Sequence, residues 1–179
     1  AQQIGDIGSE HVLDWFLDND DTKGDNAKIL PSGRIVGIDK GRAFKHFGKW
    51  KGLSGDYQMD SNAATIYNAL YSTIREGKID KATVDAAYLA VRSKARKMSK
   101  VSDAKITEML AEGMKNRPSY DVDYTIDGKK VPQNLAGLTA AVLDRKNRLP
   151  EQIDQMWAKI YKDAGFGDLP EPPSAPLGD

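Results

Sequence analysis

The sequence predicts a mainly α-helical lobe with one small β-hairpin near its N-terminus, and three observations carry that prediction. Apolar residues recur at three-and-four spacing early in the chain and again through most of it after residue 60. Two short apolar runs, 27–30 and 34–38, flank the turn residues Pro31-Ser32-Gly33. Between the first helix and this hairpin, residues 19–26 are wholly polar and cannot extend an apolar face.

In order, the first helix is expected over 9–18, with Ser9 as its N-cap and Val12, Leu13, Phe16 and Leu17 on one face. Residues 41–48 read as a turn or short helix. Asp60 or Ser61 can cap a helix carrying Ile66, Ala69, Leu70 and Ile74 and closed by Gly77. Asp80 caps a second, with Val84, Ala87, Tyr88 and Val91 inward; Ser102 caps a third, with Ile106, Met109 and Leu110 inward, ending near Gly113. Asp127-Gly128 marks a weaker hairpin within 118–131. Two further helices follow, 134–147 and 150–164, with Pro150 in the first turn of the second. Trp15, Trp50 and Trp157 are expected to bury core or groove surface. Residues 1–166 form one lobe, and 167–179 form a proline-rich tail, extended or disordered.

Lysine plus arginine and aspartate plus glutamate both total 26, so no net charge draws the chain to nucleic acid. Cysteine is absent, which excludes disulfides and thiolate chemistry. No apolar run reaches the length of a membrane span and no basic-then-apolar leader opens the chain, so a cytoplasmic protein is expected.

The chemistry concentrates in residues 19–41. Asp21, Asn26 and Asp39 stand five and then thirteen residues apart, and Gly41 completes Asp-Lys-Gly. A phosphoryl-transfer site needs a carboxylate to accept the proton of an acceptor hydroxyl, and an amide oxygen and a second carboxylate to hold magnesium against nucleotide phosphates. The hairpin explains the spacing. Asn26 precedes its first strand and Asp39 follows its second, so an antiparallel return sets both at one end, and Gly41 lets the backbone turn beyond. An acidic loop could instead be a calcium site, but a frame starting at Asp18 puts Ile29 at position twelve, and one starting at Asn19 puts Leu30 there.

The stretch from Asp14 through Asp21, with Asn26-Ala-Lys-Ile-Leu and Gly37-Ile-Asp-Lys-Gly-Arg-Ala-Phe44, resembles the atypical protein-kinase-like fold of actin-fragmin kinase, the phosphoinositide 3-/4-kinases and the HipA-type kinases. In those families a helix leads into an Asn-x-Asp loop and an Ile-Asp-x-Gly segment follows a hairpin. The resemblance covers residues 9–48 and implies the C-terminal catalytic lobe of a Mg2+- and ATP-dependent phosphotransferase. It makes Asp21 the catalytic aspartate and Asn26 and Asp39 the metal ligands. Lys23 resembles the lysine that steadies the transferred phosphate. The glycine-rich loop and strand lysine of a nucleotide lobe have no counterpart here, so an N-lobe elsewhere in a longer protein is expected, with weak ATP binding by this chain alone.

Lys40, Arg42, Lys45, His46, Lys49 and Lys51 form a basic strip with no acid among them. It reads either as a solvated face or as a contact for a protein or anionic acceptor. His11, inside the first helix, reads as packed or exposed rather than catalytic. The rival to a kinase is a non-catalytic helical interaction module or degenerate kinase lobe. A simple metal-binding structural domain comes third.

Overall fold

The structure, a computed structural model, describes residues 1–22, 24–48, 52–55, 65–117 and 120–172. Among them the chain is mainly helical, as its periodicity predicts. α1 (Gln2–Leu17) opens the fold and is followed by a single 3-10 turn at Gly24–Asn26. β1 (Ala27–Ile29) and β2 (Ile35–Gly37) then form an antiparallel hairpin. α2 (Ile66–Arg75), α3 (Lys81–Ser99) and α4 (Asp103–Met114) come next, then the short hairpin of β3 (Thr125–Ile126) and β4 (Lys129–Lys130), and last α5 (Leu135–Ala164).

Local capping sets most of these boundaries. The side chains of Asp80, Ser102 and Asn134 accept the backbone N–H groups of Thr83, Lys105 and Gly137, each at the third helical position. The cap of α2 is Thr65, which accepts from Asn68; Asp60 and Ser61 lie outside the described residues. Ser9 does not begin the first helix. That helix starts at Gln2, and Ser9 sits inside it, donating its hydroxyl to the Gly5 carbonyl 2.6 Å away.

The expected break before Pro150 is also absent. α5 runs unbroken through 30 residues with Pro150 inside it. Leu138, Ala141, Val142, Leu149, Ile153, Trp157 and Ile160 are all buried on one stripe spanning both sides of the proline. Burial of that stripe, at about 1.5–3 kcal/mol per large side chain, outweighs the roughly 3 kcal/mol that a proline costs within a helix. Pro150→Ala restores the missing N–H and should stabilise the protein by about 1–2 kcal/mol; chemical denaturation reads this, and a loss of stability would show that α5 needs the proline. Met109 also departs from expectation, being 58 % exposed while Leu110 turns inward.

The core joins α1, α2, α3 and α5. Trp15, Tyr71, Ile74, Leu149, Ile153, Trp157 and Tyr161 have no exposed surface. Trp157 sits edge-on to Tyr71 at 5.8 Å between ring centroids. Trp50 lies outside the described residues, as do 173–179 of the proline-rich tail; before them, Leu169 packs against the core. No described helix is long and apolar enough to cross a membrane.

Candidate functional site

The site is built along one face of α1. Asp6, Glu10, Asp14 and Asp18 recur every four residues, so a carboxylate returns to nearly the same face at each turn. Like charges at that spacing repel, and each of these is met by a cation from a distant segment. Arg34 grips Asp6 with two parallel bonds of 2.8 and 2.7 Å, and the Ile35 N–H adds a third at 3.0 Å. These bonds fasten β2 to α1. The Arg34 bonds hold the Asp6 carboxyl below the usual carboxylate range, so this contribution is present at neutral pH and fades as acid protonates the group.

Lys40 fastens the next segment. Its Nζ lies 2.6 Å from Asp14 Oδ1 and 3.1 Å from Glu10 Oε2. Asp14, 2 % exposed, also accepts from Asn19 Nδ2 at 2.8 Å and from the Tyr67 hydroxyl. One carboxylate thus gathers α1, the polar loop, the Asp-Lys-Gly segment and α2. Gly37 makes room for this: a Cβ there would come within 2.3 Å of Glu10 Oε2 and 2.5 Å of Lys40 Nζ. Farther along, buried Asp18 receives Arg145 Nη2 at 3.1 Å and the N–H of Gly48. Gly48 has φ +101, and a Cβ on it would collide with the Asp123 carbonyl. Burial pushes the Asp18 carboxyl up even though Arg145 opposes the shift.

On this frame the hairpin does bring Asn26 beside the Asp39 segment. The pairing of Ala27 with Gly37 is extended by a 2.7 Å bond from the Ile38 N–H to the Asn26 carbonyl. Asn26 Nδ2 donates to the Asp21 carbonyl at 2.8 Å. A carbonyl only accepts, so the amide nitrogen is fixed there and Oδ1 is the atom left to act as a ligand. Asp39, the next residue after Ile38, is exposed and takes φ +55. The sharp turn therefore falls on Asp39 itself. Gly41 does not supply it, having no positive φ.

Asp21 is half-buried, whereas Asp20 is buried and bound by Arg42 through contacts of 2.7 and 2.9 Å. That pairing ties the polar loop to the segment after Asp39. Lys23 lies outside the described residues. Within the basic strip, Lys40 and Arg42 are engaged as above and His46 meets Asp121 at 2.7 Å. Lys45 is exposed, and Lys49 and Lys51 are outside the described residues. His11 is fully buried, hydrogen-bonded to Tyr71 at 2.8 Å and stacked on Tyr67, and burial drives its pKa down to about 3. It is a packed neutral imidazole.

The Asp6, Asp14 and Asp18 anchors escape a reading that looks only for catalytic spacing, although their four-residue period from Asp6 to Asp18 is visible in the sequence. Between α1, the loop and the hairpin remains a cavity of about 10 Å³, lined by Glu10, Asp14, Thr22, Asn26 and Tyr67 among others. That is room for one water molecule.

Asn26 and Asp39 offer hard oxygen donors, and no group of three or more His, Cys, Asp or Glu placed to hold a metal occurs among the described residues. Two protein ligands suit magnesium, which keeps waters and takes its remaining oxygens from substrate phosphates. Comparison with protein-family models, curated proteins and solved structures finds no match for the chain.

Proposed function

We propose that this chain is the catalytic lobe of an ATP-dependent phosphotransferase acting on a hydroxyl of a protein or other acceptor. The observation that supports this reading is the bond from the Ile38 N–H to the Asn26 carbonyl, which sets residue 26 next to the Asp39 segment although Asn26 and Asp39 are thirteen residues apart. Asp21 accepts the proton of the acceptor hydroxyl as its oxygen bonds the γ-phosphorus and the bond to ADP breaks. Asn26 and Asp39 hold magnesium, and Lys23 steadies the transferred phosphate. Magnesium, when bound, neutralises charge on the phosphates. The protein's own part is orientation: α1 and its cations fix the loop and the Asp-Lys-Gly segment so that little reorganisation accompanies transfer.

Manganese-loaded ATP, added to the isotopically labelled chain, tests the metal half. Line broadening is expected first around residues 21–26 and 38–41, and Asp39→Ala should abolish it while lowering stability by no more than the roughly 1 kcal/mol strain of alanine in a left-handed backbone. In the full-length gene product, Asp21→Asn should reduce phosphoryl transfer by at least a hundredfold while leaving that broadening intact. Wild-type transfer in both variants would overturn the roles of Asp21 and Asp39, and broadening spread evenly over the surface with no transfer by the wild-type protein would leave a non-catalytic helical module as the reading.

A further inference from the structure

We propose that the outer face of α3 is a binding site for a small organic phosphate, separate from the Asn26 and Asp39 segment. Leu89, Arg92, Ser93, Arg96, Lys97 and Lys100, with Pro172 from the segment after α5, line a groove of about 350 Å³. Their spacing of three, one, three, one and three residues is that of a single helical face. The opposite face, with Val84, Ala87, Tyr88, Val91 and Ala95, is buried in the core.

Charge and shape together define the ligand. Residues 92–100 hold five cations and no acid, in a chain whose formal net charge is zero. Two of the five are engaged: Arg92 is held by Asp154 at 2.8 and 3.0 Å, and Lys94 reaches toward Asp6 at 3.5 Å. Arg96, Lys97 and Lys100 are exposed, and no ion pair joins them to a described residue. Arg96 and Lys100 are four residues apart and Lys97 and Lys100 three, spacings at which like charges repel. The negative helix C-terminus relieves part of that repulsion; a polyanion seated across them relieves more.

A guanidinium, two ammonium groups and the Ser93 hydroxyl together suit phosphate oxygens. Partly buried Leu89 and exposed Pro172 add apolar lining for an organic body. The volume falls within the range of small-molecule sites. A compound such as a nucleoside diphosphate satisfies both the charged and the apolar lining.

The test is a titration of ADP and of pyrophosphate without magnesium, in the Asp39→Ala background so that the proposed metal site is silent. Both ligands should saturate, with amide shifts over residues 89–100 and at Glu171. The Arg96→Gln, Lys100→Gln double variant changes exposed side chains only and should keep the wild-type melting temperature while losing at least tenfold in affinity. Absence of saturable shifts, or unchanged affinity in the double variant, would overturn the proposal. So would an oligoglutamate peptide that displaces ADP from these residues at lower concentration, since the groove would then be a protein-docking surface. None of these outcomes depends on whether Asp21 transfers phosphate.

Discussion

Arg145→Met is expected to lower the unfolding free energy by about 3–5 kcal/mol, the loss typical when one member of a buried ion pair is removed. The Arg145 side chain has no exposed surface. Its guanidinium donates to the Trp15 carbonyl and to Asp18, and lies 4.7 and 4.3 Å from the ring centroids of Trp15 and Phe47. Methionine fills similar apolar volume, so the larger part of the effect comes from Asp18, left as a buried carboxylate that keeps the Gly48 N–H as a donor. The pH dependence separates this cause from simple packing loss. A carboxyl whose folded pKa lies above its unfolded value binds its proton more tightly when folded, so it adds stability as pH falls through that interval. Burial already raises Asp18, and loss of the guanidinium raises it further. The deficit of the variant relative to wild type should therefore shrink between pH 7 and pH 5 in urea denaturation. A deficit constant with pH would mean that the aromatic cage, and not the ion pair, is the source. Asp18→Asn added to Arg145→Met should recover a large part of the loss, because asparagine tolerates the left-handed backbone found at residue 18 and can still accept from Gly48.

What could be read from the sequence divides by distance along the chain. The hairpin and the caps at Asp80 and Ser102 are legible because turn and capping chemistry is decided within three or four residues. The return of Ile38 to Asn26 is legible for the same reason, since Pro31-Ser32-Gly33 fixes the turn. The N-terminal extension of α1 is not legible because Gly5 and Gly8 weaken helix propensity there; both face α3, where their lack of a side chain permits close packing. The Pro150 break failed in the opposite sense, with a local stop signal overridden by buried side chains on both sides. Asp14 and Asp18 could not be paired in advance. Their cations lie 26 and 127 residues away, and nothing local distinguishes them from the solvated acids of the adjoining loop.

Asp14→Asn should cost about 2–4 kcal/mol and also loosen the candidate metal site, and the two effects have one origin. The carboxylate accepts from three donors, Asn19, Lys40 and Tyr67. An amide in its place offers one oxygen, and its NH2 group would face a donor. Lys40 keeps Glu10 at 3.1 Å and is partly exposed, so its charge is not stranded; the Tyr67 hydroxyl and Asn19 amide are buried and bear most of the loss. The consequence for the site passes through Asp39. Its left-handed backbone is bracketed by the Ile38 bond to Asn26 on one side and the Lys40 anchor on the other. Relaxing that anchor frees Asp39 to return to a commoner conformation and moves the proposed ligand away from the Asn26 end of the hairpin. Amide shifts at residues 38–41 should move in Asp14→Asn, and manganese-ATP broadening there should weaken at least tenfold. Lys40→Met cuts the same anchor from the other side. It leaves Asp14 with Asn19 and Tyr67 but without its cation, so it should weaken the broadening and cost stability as well, and Lys40→Arg should restore part of both. Full broadening in Lys40→Met would mean that Asp39 is held by the hairpin alone and that the Asp14 cluster serves folding only.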